Sequence, residues 1–180
     1  IYVAADVYRM PFVVGLFDAA LMVRVIHHLV DPRAALAGIR NALRPRGALV
    51  LEFANKRNTK AIMRYWLGSQ SWNPFNLEPV EFTRLNFNFH PHSMRTWLCE
   101  AGFTIGPQRS LSHFRMPVLK HVVPAAWLAA ADAALQPSGD RWQLAPSVML
   151  RADASRSGPV AAEQAFFRCP FCASTELTES

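Results

Sequence analysis

The sequence predicts an α/β protein built on a mostly parallel sheet that an antiparallel strand closes. Three observations carry this: an apolar run at residues 17–23, an amphipathic helix signal opening at Asp31-Pro32, and a second apolar run at 48–53. Strand, helix and strand in succession make a βαβ unit. Its strands lie parallel, because the crossover returns the chain to the same end of the sheet, with the right-handed sense such connections take.

The elements follow in order. Residues 1–5 read as a short first strand. Residues 17–23, apolar except for Asp18, have the length and continuity of a strand covered on both faces. Asp31 can accept from the free amides of a first helical turn, and Pro32 loses nothing at the first helical position. Leu36, Ile39, Ala42 and Leu43 recur at helical spacing, which leaves Arg33, Arg40 and Arg44 for the wet side. Pro45 and Gly47 stop that helix, and 48–53 is a strand broken only by Glu52. Residues 56–68 mix Lys56, Arg57, Lys60 and Arg64 with Ile62, Met63, Tyr65, Trp66 and Leu67, the pattern of an amphipathic helix. Residues 69–89 are loop-like and aromatic, either a cover for a substrate or a flap over an exposed sheet edge. Residues 91–101 place Met94, Trp97, Leu98 and Ala101 on one face and end at Gly102, a glycine-capped helix in which Cys99 reads as core. The stretches 110–115 and 147–152 supply the closing antiparallel strands. Between them 117–135 is an Ala-rich helix kinked at Pro124.

The chain has 180 residues, 51% hydrophobic, enough for one domain and a short appendage. A net charge of +6 is compatible with a polyanionic partner such as nucleic acid, but the arginines are spread along the chain rather than clustered. The apolar stretch 117–135 is interrupted by Lys120, His121, Pro124 and Asp132, which excludes a membrane span there. No secretory leader is visible, so a cytoplasmic location is expected.

In open parallel sheets, ligands sit beyond the carboxyl ends of the strands. Asp6, then Val23 and Arg24, then Ala54, Asn55 and Lys56 fall at such ends. Around them four motifs occur in order: Asp6 with Met10-Pro11-Phe12, Phe17-Asp18, His27-His28-Leu29 with Asp31-Pro32, and Leu43 with Pro45 and Gly47. Together they resemble the C-terminal part of a class I S-adenosylmethionine-dependent methyltransferase of the type 11 group. The resemblance implies a Rossmann-like methyltransferase sheet and transfer of a methyl group to a small-molecule acceptor. It also implies that Asp6 accepts from the adenine amine of the cofactor, that the Val7 amide meets a ring nitrogen, and that Val23 lines the methionine end. A carboxylate suits the first role because it only accepts; without the resemblance Asp6 reads instead as a solvated loop carboxylate or a turn former. His27 and His28 are chiefly packing residues in that family, and an imidazole there could also serve as a base, so no residue is assigned as catalytic. His90, His92, His113 and His121 show no metal-ligand spacing.

Arg46 stands where the family usually has glycine, and Met10 where it has leucine. The family's Gly-rich loop and the acidic residue for the cofactor ribose have no counterpart. The resemblance therefore implies a sequence lacking the N-terminal strands, which on its own binds S-adenosylmethionine weakly. A partial methyltransferase domain spans 1–152, a Ser-, Gly- and Pro-containing linker 153–165, and a separate segment 166–180. In that last segment Cys169-Pro170-Phe171-Cys172 resembles the first knuckle of a zinc ribbon. Two thiolates are half of a structural zinc site, and a free or redox-active pair is the other reading. The competing functional class is a non-catalytic scaffold whose zinc knuckle contacts nucleic acid or a protein. The acceptor is unidentified: the aromatic stretch 69–89 suits an apolar or planar molecule such as a quinone or lipid, and the basic charge suits an anion.

Overall fold

The computed structural model describes residues 3–114, 121–158 and 166–175. Strand β1 (Phe17–Met22) leads through a single turn of 3-10 helix (Ile26–His28) to helix α1 (Pro32–Ala42), which returns the chain into strand β2 (Leu43–Ala54). Asp31 caps α1, its side chain accepting from the Ala34 amide at 3.0 Å, with Pro32 in the first turn. β1 and β2 pair in parallel, Ala19 opposite Ala48 and Met22 opposite Leu51.

Beyond β2 come helix α2 (Thr59–Trp66), a hairpin of β3 (Val80–Thr83) and β4 (Asn86–Asn88), helix α3 (Pro91–Glu100) and strand β5 (Phe103–Leu111). Helix α4 (Ala125–Leu135), a 3-10 segment (Gln136–Asp140) and strand β6 (Ser147–Ala154) follow. The four-stranded sheet has the order β1-β2-β6-β5, and β6 is antiparallel to both of its neighbours. The last strand thus enters between two earlier ones.

One face of the sheet is dry. Leu49, Leu51 and Phe53 of β2 and Val148, Leu150 and Ala152 of β6 point into a core closed by Leu36 and Ile39 of α1 and Met94, Trp97 and Leu98 of α3. This period of two is what a strand presents to one layer of helices. Gly102 ends α3 at φ +88°, as a glycine cap requires.

Several expectations change. Residues 3–5 form no strand, since none of the described residues pairs with them, and residues 1 and 2 lie outside the described part. β1 is an edge strand and is not covered on both faces: Leu21 is 73% exposed. The helix ends at Ala42 and the strand begins at once at Leu43, earlier than the apolar run suggested. Arg46 takes the left-handed φ of +64°, the conformation that favours glycine there, and a Cβ on Gly47 would lie 2.9 Å from the Arg44 carbonyl oxygen. β5 runs unbroken from Phe103 through Ser110 to Leu111, one strand where 110–115 was expected to form its own, and Cys99 is exposed rather than core. Helix α4 begins after Pro124, which is its N-cap and not a kink; residues 117–120 lie outside the described part. β6 continues through Asp153 and Ala154, two residues of the expected linker.

Arg40 departs most instructively. Placed on the wet side of α1 by periodicity, it is buried, and its guanidinium donates to the Leu43 carbonyl (3.3 Å), the Ser155 hydroxyl (2.7 Å) and the Ser157 carbonyl (2.9 Å). It thereby satisfies a carbonyl just past the end of α1 and fastens the chain leaving β6. The segment after it returns to the N-terminal side: the Val13 amide donates to the Phe166 carbonyl, Arg168 donates to Pro11, and the rings of Phe12, Phe17, Phe166 and Phe167 cluster at 4.9–6.0 Å.

Two stability predictions follow from these anchors. Arg40→Met keeps the aliphatic stem and strands the carbonyls the guanidinium satisfies, so chemical denaturation should show a loss of about 1–3 kcal/mol; an unchanged midpoint would mean that water replaces the guanidinium without cost. His90 is buried at the start of α3, where its Nδ1 accepts from the His92 amide at 3.1 Å. Burial, with Arg57, Lys56 and His92 adding their charge, lowers its pKa to about 4. Since the unfolded chain takes up this proton near pH 6.5 and the folded chain only near 4, the neutral histidine's contribution is complete above pH 6.5 and is lost as pH falls towards 4. Stability measured across that window should decline, and His90→Asn, which keeps a capping acceptor without a titrating ring, should flatten the decline.

Candidate functional site

The carboxyl ends of β1 and β2 open onto the same side. At the end of β2, Asn55 is buried and uses both amide donors and its oxygen: Nδ2 donates to the carbonyls of Gln143 (2.7 Å) and Ala145 (2.8 Å), and Oδ1 accepts from the Arg57 amide (2.8 Å). The segment before β6 is thereby stapled to the turn after β2. The backbone of Ala54 and Lys56 pairs with Phe89, which carries the β3–β4 hairpin alongside. Asn58 then caps α2 by accepting from the Ala61 amide at 2.9 Å.

Lys56, fully buried, is held by the Asn76 side chain and by the carbonyls of Asn76 (3.2 Å) and Glu78 (2.6 Å). Burial lowers its pKa, against the attraction of Glu78. Ser93 adds a bond to the Leu77 carbonyl at 2.6 Å, so residues 76–78 are pinned at consecutive points. The aromatic stretch after α2 is therefore anchored from below.

These elements enclose a cavity of about 360 Å³. Arg24 and His27 line it from the loop after β1, Glu52 from β2, Asn86 and Asn88 from the hairpin, and Ser147 from β6. Glu52 accepts from the Ser147 hydroxyl across the β2–β6 pair. Arg24 holds a left-handed φ of +57°. A conformation of that kind in a side-chain-bearing residue costs energy and is met at sites where geometry matters.

His27 is the telling group. Its Nδ1 is buried and has no hydrogen-bond partner. Burial lowers its pKa, His28 and Arg24 push the same way, and Glu52 opposes them, so the ring is neutral at pH 7. A neutral imidazole offers one lone pair to a proton. His28, its ring 4.2 Å away, makes a different contact: its Nδ1 donates to the Leu85 carbonyl at 3.0 Å and so ties the hairpin turn to the loop after β1.

A larger cavity, about 560 Å³, lies between Arg24, Ser112, Phe114 and α4. Its one carboxylate, Asp132, is taken up by the backbone amide and ring of His113 at 2.8 and 2.9 Å. Burial alone would raise the Asp132 pKa; the bonds from His113 bring it below the usual carboxylate range. The smaller cavity is the candidate site, because it sits at the ends of both parallel strands and holds the unpartnered imidazole.

Asp6 is exposed in a turn, one carboxylate oxygen accepting from the Tyr8 amide at 3.0 Å. Val7 is half-buried against the core, and Val23 is 36% exposed directly after β1. None of the three lines the 360 Å³ cavity. Of the cavity's polar residues, Glu52 carried a sequence signal as the lone charge in an apolar strand, and Asn86 and Asn88 alternate at strand spacing; Ser147 had none.

Cys169 and Cys172 sit on a tight turn in which Cys169 donates to the Ser174 carbonyl and accepts from the Ala173 amide, with Ala173 at φ +62°. Backbone amides of Cys172 and Phe171, and the Cys172 thiol, lower the Cys169 pKa. Among the described residues no cluster of three or more His, Cys, Asp or Glu could hold a metal ion, so the pair alone does not close a zinc site.

Residues 1–51 match the family model of a methyltransferase domain. A search of curated proteins matched none. Among solved structures, an S-adenosylmethionine-dependent methyltransferase from Thermotoga maritima is similar at 18% identity and a TM-score of 0.51, over 84% of this chain and 62% of that one. The [4+2]-cyclase SpnF gives 18% and 0.51 over 88% and 57%, and a Listeria monocytogenes protein with a proposed assignment as such a methyltransferase gives 13% and 0.53 over 84% and 67%. The chain spans about three fifths of the length of the first two. At these identities the likeness is one of fold, and a cyclase among the neighbours shows that the fold hosts more than one chemistry. Residues 1–51 thus match a methyltransferase domain model, and the chain as a whole carries the fold of the class I S-adenosylmethionine-dependent methyltransferases.

Proposed function

We propose that the protein carrying this chain transfers a methyl group from S-adenosylmethionine to a small-molecule acceptor bound in the cavity at the ends of β1 and β2. The observation that carries this is the neutral His27 on the wall of a polar cavity at the point where parallel sheets receive ligands. When bound, the cofactor supplies an electrophilic methyl group. The chain's own residues supply the rest. Asp6, with one oxygen engaged by its turn, keeps a second for the adenine amine, while the Val7 amide and Val23 border the same ligand. His27 takes the proton that an acceptor hydroxyl or amine releases as its oxygen or nitrogen gains the methyl group. Asn86 and Asn88 orient the acceptor, and residues 76–78, fixed by Lys56, hold the wall behind the hairpin.

A second element is the Cys169–Cys172 turn. The amides directed at Cys169 favour its thiolate. We infer that the pair contributes two ligands to a zinc site completed by residues other than the described ones.

Equilibrium dialysis of labelled S-adenosylmethionine against the intact protein that carries this chain tests the first reading. Asp6→Ala should weaken binding by about 1–3 kcal/mol, and His27→Gln should leave binding nearly unchanged while abolishing most turnover with a competent acceptor. Equal affinity of the Asp6 variant would remove that residue from the site. Elemental analysis tests the second: the intact protein should hold zinc in proportion to its chains, and the double variant Cys169→Ser, Cys172→Ser should lose it. Metal content indifferent to both changes would leave ordinary thiols.

A further inference from the structure

Helix α2 is amphipathic with its apolar side facing outwards. Successive helical residues turn by about 100°, so Ala61 and Tyr65 share one side, and Trp66, Met63 and Leu67 fall on the other. The inward side is the smaller one: Ala61 is the only fully buried residue of the helix, and half-buried Tyr65 rests edge-on against Phe75. The outward side leaves Met63 55%, Trp66 74% and Leu67 77% exposed. Lys60 and Arg64 lie next to this stripe, both exposed, and neither forms an ion pair among the described residues. Phe82, on the wall of the 360 Å³ cavity that Asn58 also lines at the start of α2, is 59% exposed.

A helix that folding alone had shaped would turn its Trp, Met and Leu inwards and its charges outwards. Here the apolar stripe and the cations face the same way. We propose that α2 is a membrane-surface anchor that lies in the headgroup region of an anionic bilayer, with Trp66, Met63 and Leu67 inserted and Lys60 and Arg64 on lipid phosphates. No helix among the described residues is long and apolar enough to cross a membrane, so the contact is peripheral. Charge selects this occupant over a second copy of the chain. A two-fold contact through this face would bury Lys60 and Arg64 of both copies with no carboxylate on α2 to pair them, whereas an anionic surface neutralises them. The anchor does not depend on the methyl-transfer reading, though it places the mouth of the cavity beside the bilayer.

Flotation with vesicles of phosphatidylcholine alone and of phosphatidylcholine with an equal part of phosphatidylglycerol tests this. The protein should float with the anionic vesicles and stay behind with the neutral ones, and added salt should weaken the binding. Lys60→Gln and Arg64→Gln should each reduce partitioning about fivefold, and Met63→Ala and Trp66→Ala by at least as much, with thermal unfolding of all four unchanged because none is buried. Equal partitioning into both vesicles, or none, would overturn the proposal. So would a concentration-dependent dimer in sedimentation velocity that Trp66→Ala abolishes while vesicle binding is absent, which would assign the face to a second copy.

Discussion

A primary amide buried at the end of a strand is costly unless its donors and its oxygen find partners, and those of Asn55 do. The candidate site depends on that one side chain. Through it the segment before β6 is brought against the turn after β2, so that Ser147 arrives opposite Glu52 and the floor of the cavity closes. Lys56, the next residue, does the same in the other direction by collecting acceptors from Asn76 and Glu78. Two adjacent buried polar groups thus organise two loops that share no sequence proximity with each other. Networks of this sort specify geometry when complete and are destabilising when partly broken, so alteration of either residue should be felt first in the walls of the cavity.

Electrostatics at the site run towards neutrality. His27 and His90 are both pushed to the uncharged form, and Lys56 is lowered by burial. The common cause is removal from water, which His28 and Arg24 reinforce at His27 and Arg57 and Lys56 reinforce at His90. A neutral ring beside a polar cavity accepts protons, while one used as a helix cap accepts a backbone amide. His27 and His90 differ only in whether that lone pair is already spent.

Much of the fold was legible because the βαβ unit depends on local signals. The Asp31 cap, the Pro32 start and the period of Leu36 and Ile39 act within a few residues, and the structure repeats them. What periodicity could not show was set by tertiary partners. Arg40 is buried because acceptors from Ser155 and Ser157, far along the sequence, surround it. Leu21 is exposed because it stands with Val50 on the face of the sheet away from the core, a fact of layering and not of composition. The site was legible in place and less so in membership. The strand ends were identified, and Arg24 and Asn55 with them, but Asn86, Asn88 and Ser147 reach the cavity only through the hairpin and the antiparallel return of β6. The outward stripe of α2 was visible as a pattern; which side of it faced the core was not.

The position of β6 bears on how the chain is made. It is the last strand among the described residues, yet it fills the gap between β2 and β5, hydrogen-bonding to both. During synthesis β2 and β5 exist before their shared neighbour, each with an unpaired edge on the side that β6 will occupy. Native sheet formation therefore waits until residues 147–154 have left the ribosome, and until then two strand edges are open to wrong pairing. The nascent chain holds these edges open after the core residues of α1, β2 and α3 have already been translated.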